Sequence, residues 1–281
     1  MKAGSTGSIP GGATTSPNPA SLALEALLND VGKASFLLNT IVVGLDAVEK
    51  GHEKPDGLNV SWEPKDRKVA ARTARKFATE AFIIRAADSL HAYRQAISAF
   101  PRFAAICSKW KKTTGEAQKL DDVASNVLDD KDYLIASGML LLTWRNLIVH
   151  NGNLTLHHQK KQILRKNEKI ISESYSGLSV DCLLCHASER RPTLKDVSSL
   201  IAMSLNLARK LDAAIYHNLT KEDVMAWLEY YSIIPLLKKV HRETSIKRRA
   251  ASIERVFKTN APGLYQDFLK FFDPTGVDFV D

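Results

Sequence analysis

The most apolar segment of the chain, residues 134–149, predicts the helix around which the rest packs. The interruptions in this segment are Ser137, Gly138, Thr143, Arg145 and Asn146. A helix that is apolar on every side is buried on more than one face. It is shorter than the roughly 20 residues that a membrane span needs, and Arg145 would be costly in lipid. Asn151 and Gly152 follow the apolar run and predict where the helix ends.

Apolar residues at helical spacing predict further long helices on both sides of this segment. One runs from Pro19 or Ser21 to about Lys50, and a second from Pro64 to about Ala99, with the proline in its first turn. A later helix runs to about His217, with Thr193 as its N-cap and Asp196 three residues on. Together with the central helix they predict an all-α fold, a four-helix bundle with helical additions.

Changes in composition divide the chain into three regions. Residues 1–20 consist mainly of Gly, Ser, Thr and Pro and predict a disordered tail. Residues 21–217 form the predicted bundle, with 153–192 as a basic helical insertion. Residues 218–281 are the most basic part and predict a helical C-terminal extension that docks on the bundle through its aromatic residues.

Composition favours a packed, intracellular protein. The chain has 281 residues, of which 44% are hydrophobic, so it can bury a large core. Its net charge of +8 is compatible with a nucleic-acid partner but does not establish one. Three cysteines are too few for a disulfide framework, and no apolar signal segment opens the chain. We therefore expect a cytoplasmic protein without membrane attachment.

Three polar side chains share the end of the central helix. Asn146 and His150 lie four residues apart, about 40° around the helix, and Arg145 is one residue off that line. A guanidinium that keeps its charge holds phosphate oxygens, and an imidazole transfers protons near neutral pH. The three side chains therefore suit phosphodiester chemistry without a metal ion or cofactor.

The motif Arg145-Asn146-Leu-Ile-Val-His150, followed by Asn-Gly, resembles the signature of the HEPN superfamily. These are helical-bundle proteins, many of them RNA-cleaving toxins or defence ribonucleases. The resemblance covers roughly residues 20–217. It implies a symmetric dimer in which two motifs face each other and cleave RNA, with an antitoxin or defence-system protein as a possible partner. His150 would act as general base or acid, Arg145 would stabilise phosphoryl charge, and Asn146 would position the imidazole or the phosphate.

Two other interpretations remain open. The chain could be a non-catalytic module that binds a nucleotide or an RNA end through Arg145 and His150. It could also be a regulatory dimer in which Arg145 pairs with a carboxylate such as Asp88 and is closed to solvent. Arg85 and Asp88 lie three residues apart on the second helix. Either they pair with each other on its outer face, or Asp88 orients a catalytic group.

Two basic clusters are candidates for binding RNA phosphates, and each could equally be a solvated helix face. They consist of Lys160, Lys161 and Arg165 in the insertion, and Lys247, Arg248 and Arg249 in the extension.

Two further motifs favour packing over chemistry. Trp110 lies among lysines and could stack on a base, but a half-buried ring at a helix end is the preferred interpretation. Cys182 and Cys185 form a Cys-x-x-Cys-His motif. Haem attachment would need export, and a zinc site would need a second ligand pair. Because Leu178 shares their face of a short helix, the spacing predicts that both thiols pack into the core.

Overall fold

The computed structural model describes residues 21–151, 154–217, 219–261 and 264–275, and all regular elements within these ranges are helical. In chain order they are α1 (Leu22–Glu49), α2 (Arg67–Ser98), α3 (Ala104–Cys107), α4 (Glu116–Val127), α5 (Tyr133–His150), α6 (His158–Lys166), α7 (Glu168–Ser174), α8 (Val180–Glu189), α9 (Leu194–His217), α10 (Lys221–Tyr230), α11 (Ile234–Glu243), α12 (Ile246–Asn260) and α13 (Tyr265–Phe271). A 3₁₀ turn, Pro101–Phe103, precedes α3. The prediction of an all-α fold is confirmed, while the tail predicted at residues 1–20 lies outside the described part of the chain.

The central helix predicted from the apolar run is α5. It packs against α2, α4 and α9, and residues 134–144 are buried on all sides. Gly138 lies at the closest approach of these helices, where an added Cβ would come within 2.7 Å of Leu207 Cδ2 and 3.0 Å of Leu120 Cδ2. The expectation that this helix is buried on more than one face is therefore correct.

Polar caps set the starts of the long helices. The Asp66 carboxylate accepts hydrogen bonds from the N–H groups of Lys68 and Val69, so α2 begins at Arg67 and not at Pro64 as the proline suggested. At the start of α9, the predicted cap is present. The Thr193 hydroxyl accepts the Asp196 N–H at 3.1 Å, and the Asp196 carboxylate accepts the Thr193 N–H at 3.1 Å.

A buried polar cluster anchors the start of α1 to α9. Ser21 caps α1, and its N–H and hydroxyl donate to the two Asp212 carboxylate oxygens at 2.9 and 2.5 Å. The Tyr93 hydroxyl donates to the Ala208 carbonyl nearby. Burial raises the pKa of the Asp212 carboxyl above its ordinary value, although the bonds from Ser21 oppose this shift.

The insertion and the extension both pack against the central helices. The basic part of the predicted insertion forms two helices, α6 and α7, which are divided at Asn167, and α6 contacts α5. The extension docks through Trp227, whose ring lies 4.6 Å from the ring of Phe100, measured between centroids. The fully buried Asp223 pairs there with Arg102. The aromatic residues of α12 and α13, Phe257, Tyr265 and Phe268, pack on one another, and docking of the extension through them stays a prediction.

Helices α1 and α2 pack along each other as a long hairpin, and the outer part of α1 has little cover. By length and composition alone, α1 could cross a membrane. Within the protein, 11% of its most apolar window is buried. The other helices in the described ranges do not meet these criteria. Cytoplasmic location and the absence of membrane attachment stay predictions.

Candidate functional site

The Arg145–His150 segment forms the end of α5, where the helix leaves the core. Residues 134–144 are buried, Arg145 and Asn146 are half-buried, and His150 is exposed. Asn151 ends the helix in the left-handed conformation with φ 53°. The helix end predicted there is therefore confirmed, while Gly152 lies outside the described residues. The motif lies at the boundary between core and solvent.

Asp88 on α2 holds the Arg145 guanidinium. Nε of Arg145 donates to Oδ1 of Asp88 at 3.1 Å, and Nη1 donates to Oδ1 of Asn146 at 3.3 Å. The Arg145 side chain is 28% exposed, and its Nη2 has no partner among the residues that the structure describes. The guanidinium is thus fixed at one edge and retains donors for a ligand. The regulatory interpretation requires that Arg145 be closed to solvent, and it is not.

The His150 imidazole stands apart from this group. It is exposed and makes no hydrogen bond or ion pair with the described residues. Helical spacing puts it on the side of α5 that carries Asn146, but no bond joins it to Arg145. The structure therefore brings Arg145, Asn146 and Asp88 together and leaves the imidazole on the adjacent surface. Convergence of guanidinium and imidazole on one ligand stays a prediction.

Arg190 is a residue of this site that the sequence interpretation missed. It ends α8 in the left-handed conformation with φ 56°, and its Nη1 donates to Oδ1 of Asn151. This bond ties the Arg190 guanidinium to the residue that follows His150 in the chain. A left-handed arginine costs about 1 kcal/mol relative to glycine. The basic pair before Pro192 was visible in the sequence, but its approach to the end of α5 depends on the path of the insertion.

Of the two interpretations left open for Arg85 and Asp88, the one in which they pair with each other is wrong. Arg85 Nη2 instead lies 2.8 Å from Oδ2 of Asp30 on α1, which also accepts a hydrogen bond from the Ser89 hydroxyl at 3.2 Å. The two side chains point toward different neighbouring helices, and each finds an oppositely charged partner there. Asp88 has the contact that an orienting role requires, whereas Arg85 makes no hydrogen bond or ion pair with Arg145 in the described ranges.

The basic residues of the insertion differ in how free they are. Lys160 Nζ lies 2.5 Å from Oδ1 of Asp121 on α4, and both side chains are largely buried, so this pair joins two helices. Arg165 pairs with Asp181 at 2.7 Å in the open. Lys161 is half-buried and has no ion-pair partner among the described residues. Of the three RNA-binding candidates, Lys160 has the clearest structural role.

In the extension, Arg249 acts as a helix cap. Its guanidinium donates to the carbonyls of His241 and Thr244, which end α11, at 3.1 and 3.2 Å. Lys247 and Arg248 are exposed and have no ion-pair partner within the described ranges. They are the members of this cluster that remain available to a phosphate backbone.

Trp110 belongs to a second polar cluster, away from the motif. Arg94 and Lys119 lie over its ring, and the ring is half-buried, as the preferred interpretation predicted. Both cations also contact Glu116, as does the His91 imidazole. Burial would raise the pKa of Glu116, but the Lys119 hydrogen bond and the charges of Arg94 and His91 outweigh it and lower that pKa. Because these side chains are engaged with one another and with the ring, the cluster is better explained by packing.

The predicted burial of the two cysteines is wrong. Cys182 and Cys185 are both exposed on α8, whereas Leu178 is buried. The helix is rotated so that Leu183, Leu184 and their neighbours contact the core instead of the thiols. No group of three or more His, Cys, Asp or Glu side chains in the described residues is placed to hold a metal ion.

The side chains at the end of α5 can bind a phosphate and exchange a proton. The Arg145 guanidinium has a donor without a partner among the described residues, and the exposed His150 imidazole follows five residues later in the chain. Comparisons with protein-family models, curated proteins and solved structures find no match to this chain. The likeness to the HEPN superfamily therefore rests on the Arg145–His150 motif and its helical setting.

Proposed function

We propose that the chain is a metal-independent endoribonuclease of the HEPN type, with its reactive groups at the end of α5. The observation that carries the proposal is the Arg145 guanidinium, which Asp88 anchors through Nε while Nη2 stays unpartnered among the described residues. A structural arginine would be expected to use more of its donors on the protein. This one keeps donors on an accessible edge, five residues before an exposed histidine.

The proposed reaction needs one base, one acid and charge stabilisation. His150 removes the proton from an RNA 2′-hydroxyl, whose oxygen attacks the adjacent phosphorus and forms a 2′,3′-cyclic phosphate. The bond to the 5′-oxygen breaks, and that oxygen takes a proton from an imidazolium. Arg145 and Arg190 neutralise the phosphoryl oxygens, while Asn146 positions Arg145 through its amide oxygen.

A second copy would supply the second imidazole. The resemblance implies a symmetric dimer in which two Arg145–His150 motifs form one cleft, so one His150 acts as base and the other as acid. It also implies a four-helix bundle across residues 21–217, with 153–192 inserted and 218–281 appended. A role in a toxin–antitoxin or antiphage defence system, with a matching partner protein, belongs to the same proposal.

The alternative function is a non-catalytic module that binds a nucleotide or an RNA end. The observation that favours it is the absence of any bond between His150 and Arg145 among the described residues. In this alternative Arg145 and Arg190 bind a phosphate, and His150 adds a hydrogen bond without transferring a proton.

Incubation of the purified chain with end-labelled RNA in excess EDTA tests the proposal. We expect cleavage products ending in a cyclic phosphate, none from RNA with 2′-deoxy sugars, and a loss of at least about 100-fold in rate for Arg145→Ala and His150→Ala. Arg72→Ala and His52→Ala are matched controls, since both residues are exposed and distant in sequence.

Cleavage that survives both site substitutions would overturn the catalytic assignment. Tight binding of RNA that Arg145→Ala weakens, without any product, would establish the alternative function instead.

A further inference from the structure

Helix α8 presents two thiols and an imidazole on one side. Cys182 and Cys185 are exposed, and the His186 side chain is 33% exposed. Successive residues lie about 100° apart around a helix, so Cys185 and His186 lie about 60° and 40° to either side of Cys182, one turn further on. The buried Leu183 and Leu184 occupy the other side. Cys182 therefore has both a second thiol and an imidazole as neighbours in the next turn.

The spacing of the two thiols suits a reversible disulfide within α8. Residues three apart in an α-helix have Cα atoms about 5 Å apart, inside the roughly 4.4–6.8 Å that disulfides span. Their Cβ atoms, about 5–6 Å apart on a helix surface, must approach to about 4 Å. Cys182 lies in the first turn of α8, whose N–H groups have no intrahelical partner, so this adjustment breaks few bonds. A bond closed with such strain is readily reduced again.

His186 is held in the orientation that a base requires. Its Nδ1 lies 2.7 Å from Oδ2 of Asp196, whose side chain is 4% exposed at the start of α9. The same oxygen accepts the N–H and the hydroxyl of Thr193 at 3.1 and 2.5 Å. Because a carboxylate only accepts, Nδ1 carries the hydrogen and Nε2 keeps a lone pair. Among the described residues Nε2 has no hydrogen-bond partner, so it is available to take a proton.

The three cysteines have different surroundings. The Cys185 thiol donates to Oε1 of Glu189 at 3.4 Å, and this hydrogen bond raises the pKa of Cys185. Cys107 on α3 is half-buried, its thiol donates to the Ser98 carbonyl at 3.7 Å, and burial raises the pKa of Cys107. The Cys182 thiol makes no hydrogen bond within the described ranges. Cys182 is therefore the thiol placed to react first, with Cys185 as the second.

We propose that Cys182 and Cys185 are a redox-active dithiol that exchanges with low-molecular-weight disulfides, with His186 as the base. No hydrogen bond joins Cys182 to His186 in the described residues. Side chains four apart on a helix are neighbours, and they lean toward its N-terminus, so rotation of the Cys182 side chain is enough to bring its sulfur to the imidazole.

The exchange balances in two steps. The Cys182 thiol gives its proton to Nε2 of His186, and its sulfur attacks one sulfur of the external disulfide. The other half leaves as a thiolate and takes that proton. The Cys185 sulfur then attacks the Cys182 sulfur, and the second half leaves with the Cys185 proton. The chain has lost two electrons and two protons, and the external disulfide has gained them.

The charged groups packed around α8 are already engaged. Asp181 pairs with Arg165 on α6, Glu168 on α7 accepts the Val180 N–H, and Lys195 on α9 donates to the Gly177 carbonyl. Imidazole is the side chain that takes up a proton near neutral pH, so His186 is the natural acceptor beside the thiols. The exchange uses none of the residues at the end of α5 and is independent of the proposed ribonuclease.

Incubation of the full chain with excess oxidised glutathione tests the dithiol. We expect an intact mass lower by two hydrogen atoms, and a Cys182–Cys185 bond that peptide mapping locates and dithiothreitol reduces. Cys185→Ser should stop at a glutathione adduct on Cys182, whereas Cys182→Ser should react about tenfold more slowly. Cys107→Ser is the matched control and should oxidise like the wild type. Circular dichroism should show the same helix content in all four proteins.

His186→Gln tests the base, since glutamine can still donate to Asp196. At about pH 7 its rate of oxidation should be about tenfold below that of the wild type. The two rates should converge at about pH 9–10, where thiols ionise without a base. A merely structural role for His186 would lower the rate by the same factor at every pH.

Two results would overturn the dithiol. One is a chain that keeps all its thiols free after prolonged incubation. The other is a disulfide that includes Cys107 or joins two copies. Equal rates for His186→Gln and the wild type at about pH 7, or a deficit that persists at about pH 10, would remove His186 as the base.

Discussion

Removal of the Asp88 carboxylate separates a positioning role from a structural one. The Asp88–Arg145 pair has one hydrogen bond of 3.1 Å, and its side chains are 51% and 28% exposed. Exposed pairs of this kind contribute about 0.2–1 kcal/mol to stability after desolvation and side-chain entropy are included. Asp88→Ala should therefore lower the free energy of unfolding by less than about 1 kcal/mol, which shifts the melting temperature by roughly 2–4 °C.

The effect on cleavage should be much larger than the effect on stability. Without Asp88, the Arg145 side chain loses its only anchor on α2, and a displacement of about 1 Å at a reacting group can reduce a rate by about 100-fold. Asp88→Asn retains an acceptor for Nε and should restore most of that loss. We expect kcat to fall with little change in KM, because the bound phosphate still meets both guanidinium groups but in a poorer geometry.

Single-turnover cleavage of labelled RNA, with thermal unfolding of the same samples, provides the measurement. Asp30→Ala is the matched control, because it breaks a comparable ion pair to Arg85 on the other side of α2. If Asp88→Ala cleaves within twofold of the wild type, Asp88 does not position Arg145 for catalysis. Equal losses for Asp88→Ala and Asp30→Ala would show that only the stability of α2 matters.

Three further experiments test other parts of the structure. The folded-state pKa of Asp212 is raised, so its contribution to stability is complete below about pH 4 and is lost as pH rises through that higher pKa. In urea unfolding, the difference in free energy of unfolding between the wild type and Asp212→Asn should therefore shrink as pH rises. Arg249→Ala should lower the melting temperature because it removes the cap of α11. Lys247→Ala should leave the melting temperature unchanged and lower the number of counterions released on RNA binding by about one. Arg190→Gly removes the backbone strain of an arginine in the left-handed conformation, so the melting temperature should stay the same or rise. The same change should slow RNA cleavage about tenfold, and an unchanged rate would show that Arg190 is not part of the site.

The helices were predictable because their signals are local. The burial of residues 134–144 follows from an apolar run, and Thr193 with Asp196 marks the start of α9 through contacts within one turn. Pro64 and Asp66 are both acceptable start signals for α2, and the proline indicates a start three residues before the one in the structure. Only the Asp66 side-chain bonds show which of them caps the helix.

The candidate site was only partly predictable. Arg145, Asn146 and His150 could be selected because they are adjacent in sequence and unusual in an apolar helix. The exposure of Cys182 and Cys185 depends on how the short helix α8 is rotated about its axis. Successive residues lie about 100° apart around a helix, so a small error in the predicted rotation exchanges buried and exposed positions.

The amino-acid sequence alone determined that this protein is all-α, that its central helix covers the apolar run 134–149, and that the polar motif lies at the end of that helix. These features depend on hydrogen bonds and apolar contacts within a few turns of one helix. Tertiary structure decided that Asp88 pairs with Arg145, that Arg85 turns to Asp30, and that Arg190 joins Asn151. A charged or polar side chain bonds to whichever partner the fold brings near it. The residues in these pairs are 39 to 57 positions apart in the chain, so their pairing depends on how the helices pack.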